Sequence, residues 1–90
     1  DLVDCSHGNS EKQPRLQPVV LASVLQSRLS GCREIVGFMV ESNLREGRQD
    51  IPKDPRTIVY GVSVTDACVG WETTDEMLRG ASDALAGERR

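Results

Sequence analysis

The run Ile35-Val36-Gly37-Phe38-Met39-Val40-Glu41 decides the fold. Its residues before the carboxylate are apolar without alternation. That is the pattern of a strand covered on both faces, as in a parallel sheet. The run stops sharply at Glu41, where a carboxylate at the mouth of a buried strand costs desolvation unless a cation compensates it. Upstream, Leu21, Leu25 and Leu29 recur every four residues and are joined by Val20 and Val24. This stripe predicts a helix over about residues 18–29. Pro18 suits its first turn and Gly31 is placed to end it. Before it, Leu2-Val3-Asp4-Cys5 reads as another strand, closed by the loop formers Ser6-His7-Gly8-Asn9-Ser10. That strand opens the sequence without Met or lead-in, so the expectation is a chain cut from something larger.

Downstream, residues 42–57 are polar, hold Gly47, Pro52 and Pro55, and read as a long loop. Residues 58–64 allow two readings. Ile58, Tyr60, Val62 and Val64 alternate as in a strand, and an extended continuation of the loop fits equally. Thr73 with Glu76 matches a capping box. Met77, Leu78, Ala81, Ala84 and Leu85 then trace a helix to about residue 86, which Trp71 is expected to anchor by burial. The order strand, helix, strand, long loop, helix predicts an α/β architecture with a right-handed parallel crossover. A strand followed by a polar segment and a helix is the unit of a (β/α)8 TIM barrel, which needs ~250 residues. These 90 residues are therefore expected to be about a quarter of one, incomplete alone.

Composition narrows the function classes. Hydrophobic residues make up 38% and charged residues 28%, ordinary for a folded chain. A net charge of -3 argues against a nucleic-acid partner. No apolar run approaches the ~20 residues of a membrane span, and the N-terminus lacks the pattern of a signal peptide. Cys5, Cys32 and Cys68 are odd in number and widely spaced, which points away from disulfides and zinc knuckles and toward a reducing cytoplasm. The tail Glu88-Arg89-Arg90 reads as a solvated end.

Three residues could carry chemistry. His7 lies just past the first strand, Glu41 at the mouth of the second, and Asp66 lies in Ser63-Val64-Thr65-Asp66-Ala67-Cys68. Each alone has an ordinary explanation: a solvated histidine, a helix cap, a turn aspartate. Together, at or after the C-terminal edges of strands, they would converge on one barrel face. A histidine nitrogen with carboxylate oxygens suits Mn²⁺, Fe²⁺, Co²⁺ or Zn²⁺. Lys12 reads as a surface or helix-entry charge with phosphate binding as the alternative. Arg45 and Arg48 read as solvated loop charges, and Cys5 as a small core residue.

Asp4-Cys5-Ser6-His7-Gly8-Asn9-Ser10 with Lys12, Gly37-Phe38-Met39-Val40-Glu41-Ser42-Asn43-Leu44 with Glu46-Gly47, and Tyr60-Gly61-Val62-Ser63-Val64-Thr65-Asp66-Ala67-Cys68 with Trp71-Glu72 form three motifs in order. They resemble the C-terminal part of class I 3-deoxy-D-arabino-heptulosonate 7-phosphate (DAHP) synthase, over essentially the whole chain. The resemblance implies strands 7 and 8 and helices 7 and 8 of a TIM barrel, with residues 58–64 belonging to the loop after strand 8. It implies a transferase that condenses phosphoenolpyruvate with erythrose 4-phosphate, releases phosphate and opens the shikimate pathway to chorismate and the aromatic amino acids. It also implies a cytoplasmic homo-oligomer. The metal ligands fall on His7, Glu41 and Asp66, and Asp66 also lies near the erythrose 4-phosphate end. The family's fourth ligand, a cysteine on the first strand, matches none of Cys5, Cys32 or Cys68. The substrate-phosphate cations and most of the feedback site also belong to other strands, so the chain alone is expected to be inactive. The alternatives are the sister 3-deoxy-D-manno-octulosonate 8-phosphate synthase, for which the Glu41-to-Asp66 separation is long, and a non-catalytic small binding module.

Overall fold

Leu2 and Phe38 set the frame. In the computed structural model, which describes residues 1–10 and 12–87, strand β1 (Leu2–Asp4) pairs in parallel with strand β2 (Gly37–Met39). The register places Leu2 opposite Gly37, Val3 opposite Phe38 and Asp4 opposite Met39. Gly37 lets the Leu2 side chain lie close over the neighbouring strand, since a Cβ on it would stand 2.6 Å from Leu2 Cδ2. Cys5 extends the pairing by donating its N–H to Met39 O at 2.8 Å. The tail at 88–90, expected to be solvated, lies outside the described residues.

Between the strands runs α1 (Gln17–Leu29), entered through a 3-10 turn at Pro14–Leu16 with Pro18 in the first turn, as the spacing predicts. Gly31, at φ +114°, takes the left-handed conformation that ends the helix. The last helix, α2 (Trp71–Ala86), begins three residues earlier than the Thr73 capping box implies. Gly70 is its N-cap, and Trp71 N–H donates to Leu44 O at 3.2 Å, so a tertiary bond sets the start. Thr74, not Thr73, bonds back into the first turn, its hydroxyl donating to Gly70 O at 2.8 Å. Trp71 is 57% exposed and does not anchor the helix by burial in this chain.

Residues 58–64 form no strand. Ile58 and Tyr60 are exposed, and the backbone bonds to a side chain instead. Gln49 Nε2 donates to Val59 O at 2.7 Å and Val62 O at 2.9 Å, while Gln49 Oε1 accepts from Val59 N–H at 3.0 Å. The extended-loop reading is the one observed. Gly61 turns the chain at φ +84°, beneath Leu44.

Cys5, Leu21, Val69, Met77 and Ala81 form the buried core, with Val20, Leu25, Phe38 and Val40 packed against it. Helices α1 and α2 pack against each other. The expected cover on both strand faces is not supplied by the described residues: Val36 is 77% and Met39 47% exposed. The radius of gyration is 15.1 Å, against ~12 Å for a compact unit of this length. No helix among the described residues is long and apolar enough to cross a membrane.

Candidate metal centre

The end of β1 builds the first half of the site. After Asp4 the chain turns tightly into a 3-10 segment at His7–Ser10. His7 itself sits at φ +54°, a left-handed conformation uncommon for a residue with a side chain. Local bonds hold it there. Lys12 N–H donates to His7 O at 2.7 Å. Asp4 Oδ1 accepts from the Ser6 N–H at 2.8 Å and from the Ser6 hydroxyl at 2.5 Å. Asp4 Oδ2 lies 2.8 Å from His7 Nδ1. A carboxylate only accepts, so Nδ1 carries the proton and Nε2 is left to face the site. A histidine oriented by a carboxylate behind it is the usual support of a metal-ligating imidazole.

The end of β2 supplies the second half. Glu41 follows the strand, and its Oε1 lies 2.7 Å from His7 Nε2. Asp66 Oδ2 lies 2.8 Å from the same nitrogen, although 59 residues separate the two side chains. Asp66 does not follow a strand, contrary to the strand-end reading, but reaches the site from the loop. That loop is tied back by Arg48, whose Nε–H donates to Thr65 O at 2.9 Å, and by Cys68, whose thiol donates to Asp66 O at 3.4 Å. The expected trio therefore converges: one ligand atom from each of His7, Glu41 and Asp66 lies within 4.8 Å of the others. No cysteine joins this cluster among the described residues. Cys5 and Cys68 are buried, and burial pushes both thiols up.

Electrostatics fits a cation at the centre. The bond to Asp4, and next the bond to Asp66, raise the His7 imidazole above its ordinary value. Burial, reinforced by the charges of Asp66 and Asp4 and opposed by His7, raises the Glu41 carboxyl. The Ser6 hydroxyl bond, first among several, lowers Asp4. Two carboxylates converging on one nitrogen need a shared positive charge, either the imidazolium proton or a metal ion. One nitrogen and two carboxylate oxygens make a donor set for a divalent ion of intermediate softness. Bonds of ~2.0–2.2 Å to such an ion would ask these atoms to spread by a few tenths of an ångström. The residues fit the group.

The adjoining cavity of about 130 Å³ is also lined by Ser10, Lys12 and Arg48. Lys12 thus faces the site rather than only the surface. Arg48 is not simply solvated, since it also pairs with Asp50 at 2.9 Å. Sequence reasoning missed Asp4, whose signal was its place three residues before His7, and Gln17, which gave none.

An α/β unit whose parallel strands bring a histidine and a carboxylate to one rim defines a class of protein with a candidate cation site there. Comparison with known proteins narrows this class. The chain belongs to the DAHP synthetase I family, whose model matches residues 2–79. It is 49% identical over 87 residues to a Tyr-sensitive phospho-2-dehydro-3-deoxyheptonate aldolase of Salmonella typhimurium, covering 97% of this chain and 24% of that protein. It is 43% identical over 91 residues to a phenylalanine-inhibited one of Saccharomyces cerevisiae, covering 99% of this chain and 25% of that protein. The solved structure of the phospho-2-dehydro-3-deoxyheptonate aldolase from Francisella tularensis superposes with a TM-score of 0.84 at 45% identity, over 94% of this chain and 24% of that one. The chain thus spans about a quarter of the length of the relatives it matches.

Proposed function

We propose that this chain contributes three ligands, His7, Glu41 and Asp66, to the divalent-metal centre of a 3-deoxy-7-phosphoheptulonate synthase. The observation that carries the reading is the convergence of these three side chains on one point, from segments far apart in sequence. The family match supports the reaction class over both the octulosonate synthase and the binding module. The parallel β1–β2 pair with its intervening helix supports two consecutive units of a TIM barrel. Their assignment as the seventh and eighth rests on the motif resemblance alone.

In the proposed reaction, C3 of phosphoenolpyruvate bonds to the aldehyde carbon of erythrose 4-phosphate. Water adds at C2, and phosphate leaves by C–O cleavage. A bound divalent ion, with Mn²⁺, Fe²⁺, Co²⁺ and Zn²⁺ all suited to the donors, supplies Lewis-acid polarisation of the aldehyde. The chain's residues prepare for this. Asp4 fixes the His7 tautomer, so that Nε2 presents its lone pair. Glu41 and Asp66 bring negative charge that a cation neutralises. Asp66, with its side chain 62% exposed, stands on the open side where the sugar phosphate approaches. The uncovered strand faces support a parent in which other barrel strands, and a homo-oligomeric partner, complete the cover. The unpaired thiols support a cytoplasmic setting.

The test is metal removal from the full-length protein. EDTA is expected to abolish synthase activity and Mn²⁺ to restore it. A full-length protein that keeps its activity after exhaustive chelation would overturn the metal reading.

A further inference from the structure

The largest fully buried side chain among the described residues is not apolar but a glutamine: Gln17 is 1% exposed, in the first turn of α1. Its amide serves one purpose. Gln17 Oε1 accepts from Glu41 N–H at 2.9 Å, and Gln17 Nε2 donates to Glu41 O at 3.0 Å. The side chain thus acts as a one-residue strand neighbour, exchanging a donor and an acceptor with residue 41 where the β ladder has already ended at Met39. Glu41 O also accepts from Val69 N–H at 3.0 Å, so the segment entering α2 completes the grip. Both peptide groups of Glu41 are fixed, and the direction of its Cα–Cβ bond follows. Its carboxylate is then delivered 2.7 Å from His7 Nε2.

We propose that Gln17 is a positioning residue for the cation site, acting through the backbone of Glu41 rather than by touching the ion. The assignment rests on the metal reading above. A buried amide that is fully paired has high stakes: its loss leaves Glu41 N–H without that acceptor and Glu41 O with the Val69 N–H, beside a pocket from which the amide had been withdrawn from water. The four other buried polar residues among those described, Ser6, Ser10, Ser63 and Thr74, also bond within the strand-end turns, the loop before Asp66 or the start of α2, but none of their side chains holds a candidate ligand by both peptide groups.

The experiment uses the full-length protein with Mn²⁺ as probe, reading affinity by titration and ligand geometry by the electron paramagnetic resonance spectrum of the bound ion. Gln17→Met keeps length and bulk but loses both bonds. Gln17→Glu keeps the acceptor for Glu41 N–H and loses the donor. The expected result is about a tenfold loss of Mn²⁺ affinity for Gln17→Met and a smaller loss for Gln17→Glu, each with an altered spectrum. Met77→Ala, a core change that removes none of these hydrogen bonds, serves as the destabilised control and is expected to leave both readouts unchanged. If Gln17→Met does not fold, Gln17→Glu decides alone. Wild-type affinity and spectrum in the folded Gln17 variants would overturn the proposal, as would equal losses in Met77→Ala. Absence of Mn²⁺ binding by the wild-type protein would instead strike down the metal reading on which the proposal stands.

Discussion

The rim of the molecule and its strand pair obey different economies. At the rim, Asp4, Ser6, His7, Gln17, Glu41 and Asp66 satisfy one another, and no buried side-chain nitrogen or oxygen among the described residues lacks a partner. In the strand pair below, Leu2 and Val36 are 72% and 77% exposed. The surface of 6387 Å² exceeds the ~5200 Å² of a compact protein of this mass. The geometry of the rim is thus written into polar bonds carried by this chain, while the described residues leave part of the strand pair's apolar surface uncovered.

The largest expected effect breaks the rim. His7→Ala in the full-length protein removes the nitrogen that Glu41 and Asp66 share. Synthase kcat/KM should fall by more than about a thousandfold, the several kcal/mol a Lewis acid supplies. Unlike the loss caused by EDTA, this one should not be reversed by excess Mn²⁺. A variant retaining a tenth of the activity would show that the rim does not depend on its histidine. The next test addresses the body. The isolated chain should self-associate through its uncovered strands, and Val36→Lys should weaken that association. Removing one exposed apolar contact of ~1.5–3 kcal/mol lowers the association constant roughly ten- to hundredfold. Sedimentation velocity reads this directly, and a monomeric wild-type chain would erase the contrast between rim and body.

Much of this division was legible in the sequence. Periodicity located α1, the apolar run located β2, and residue type with position at strand ends located His7 and Glu41. Asp66 was found by type and motif, although no strand leads to it. What stayed hidden involves side chains that replace backbone partners. Gln17 and Gln49 each exchange donor and acceptor with a remote peptide, and such bonds leave no period in the sequence. Gln49 is the reason the alternation at 58–64 yields a loop, and the bond from Trp71 to Leu44 is the reason α2 starts early. Both outcomes are tertiary choices that local propensity cannot encode.

Asp4→Asn probes the rim one step behind the ligand. Two Ser6 donors point at Oδ1, so the amide oxygen should take that place and the NH₂ group should face His7 Nδ1. That NH₂ can only donate, which forces the imidazole proton onto Nε2 and blocks the lone pair meant for the metal. A ten- to hundredfold loss of Mn²⁺ affinity is expected. Unchanged affinity would mean that the tautomer is set elsewhere.

The smallest effect is a pH dependence, and its sign follows from the same bonds. A proton and a metal ion compete for His7 Nε2. The bond to Asp4, and then that to Asp66, raise the imidazole above its ordinary value of ~6.5, so the proton holds on to a higher pH. Mn²⁺ affinity should therefore be constant above the raised value and fall about tenfold per pH unit below it. Toward acid the slope should steepen as Glu41 joins, because burial has raised its carboxyl as well. In Asp4→Asn the leading cause of the histidine shift is gone. Its onset should move to lower pH even though its plateau affinity is weaker. Opposite movements of onset and plateau separate the two roles of Asp4, holding the proton on one nitrogen and raising the basicity of the other. An onset that stays fixed in the variant would assign the shift to the facing carboxylates, and the rim would then be organised from its open side rather than from behind.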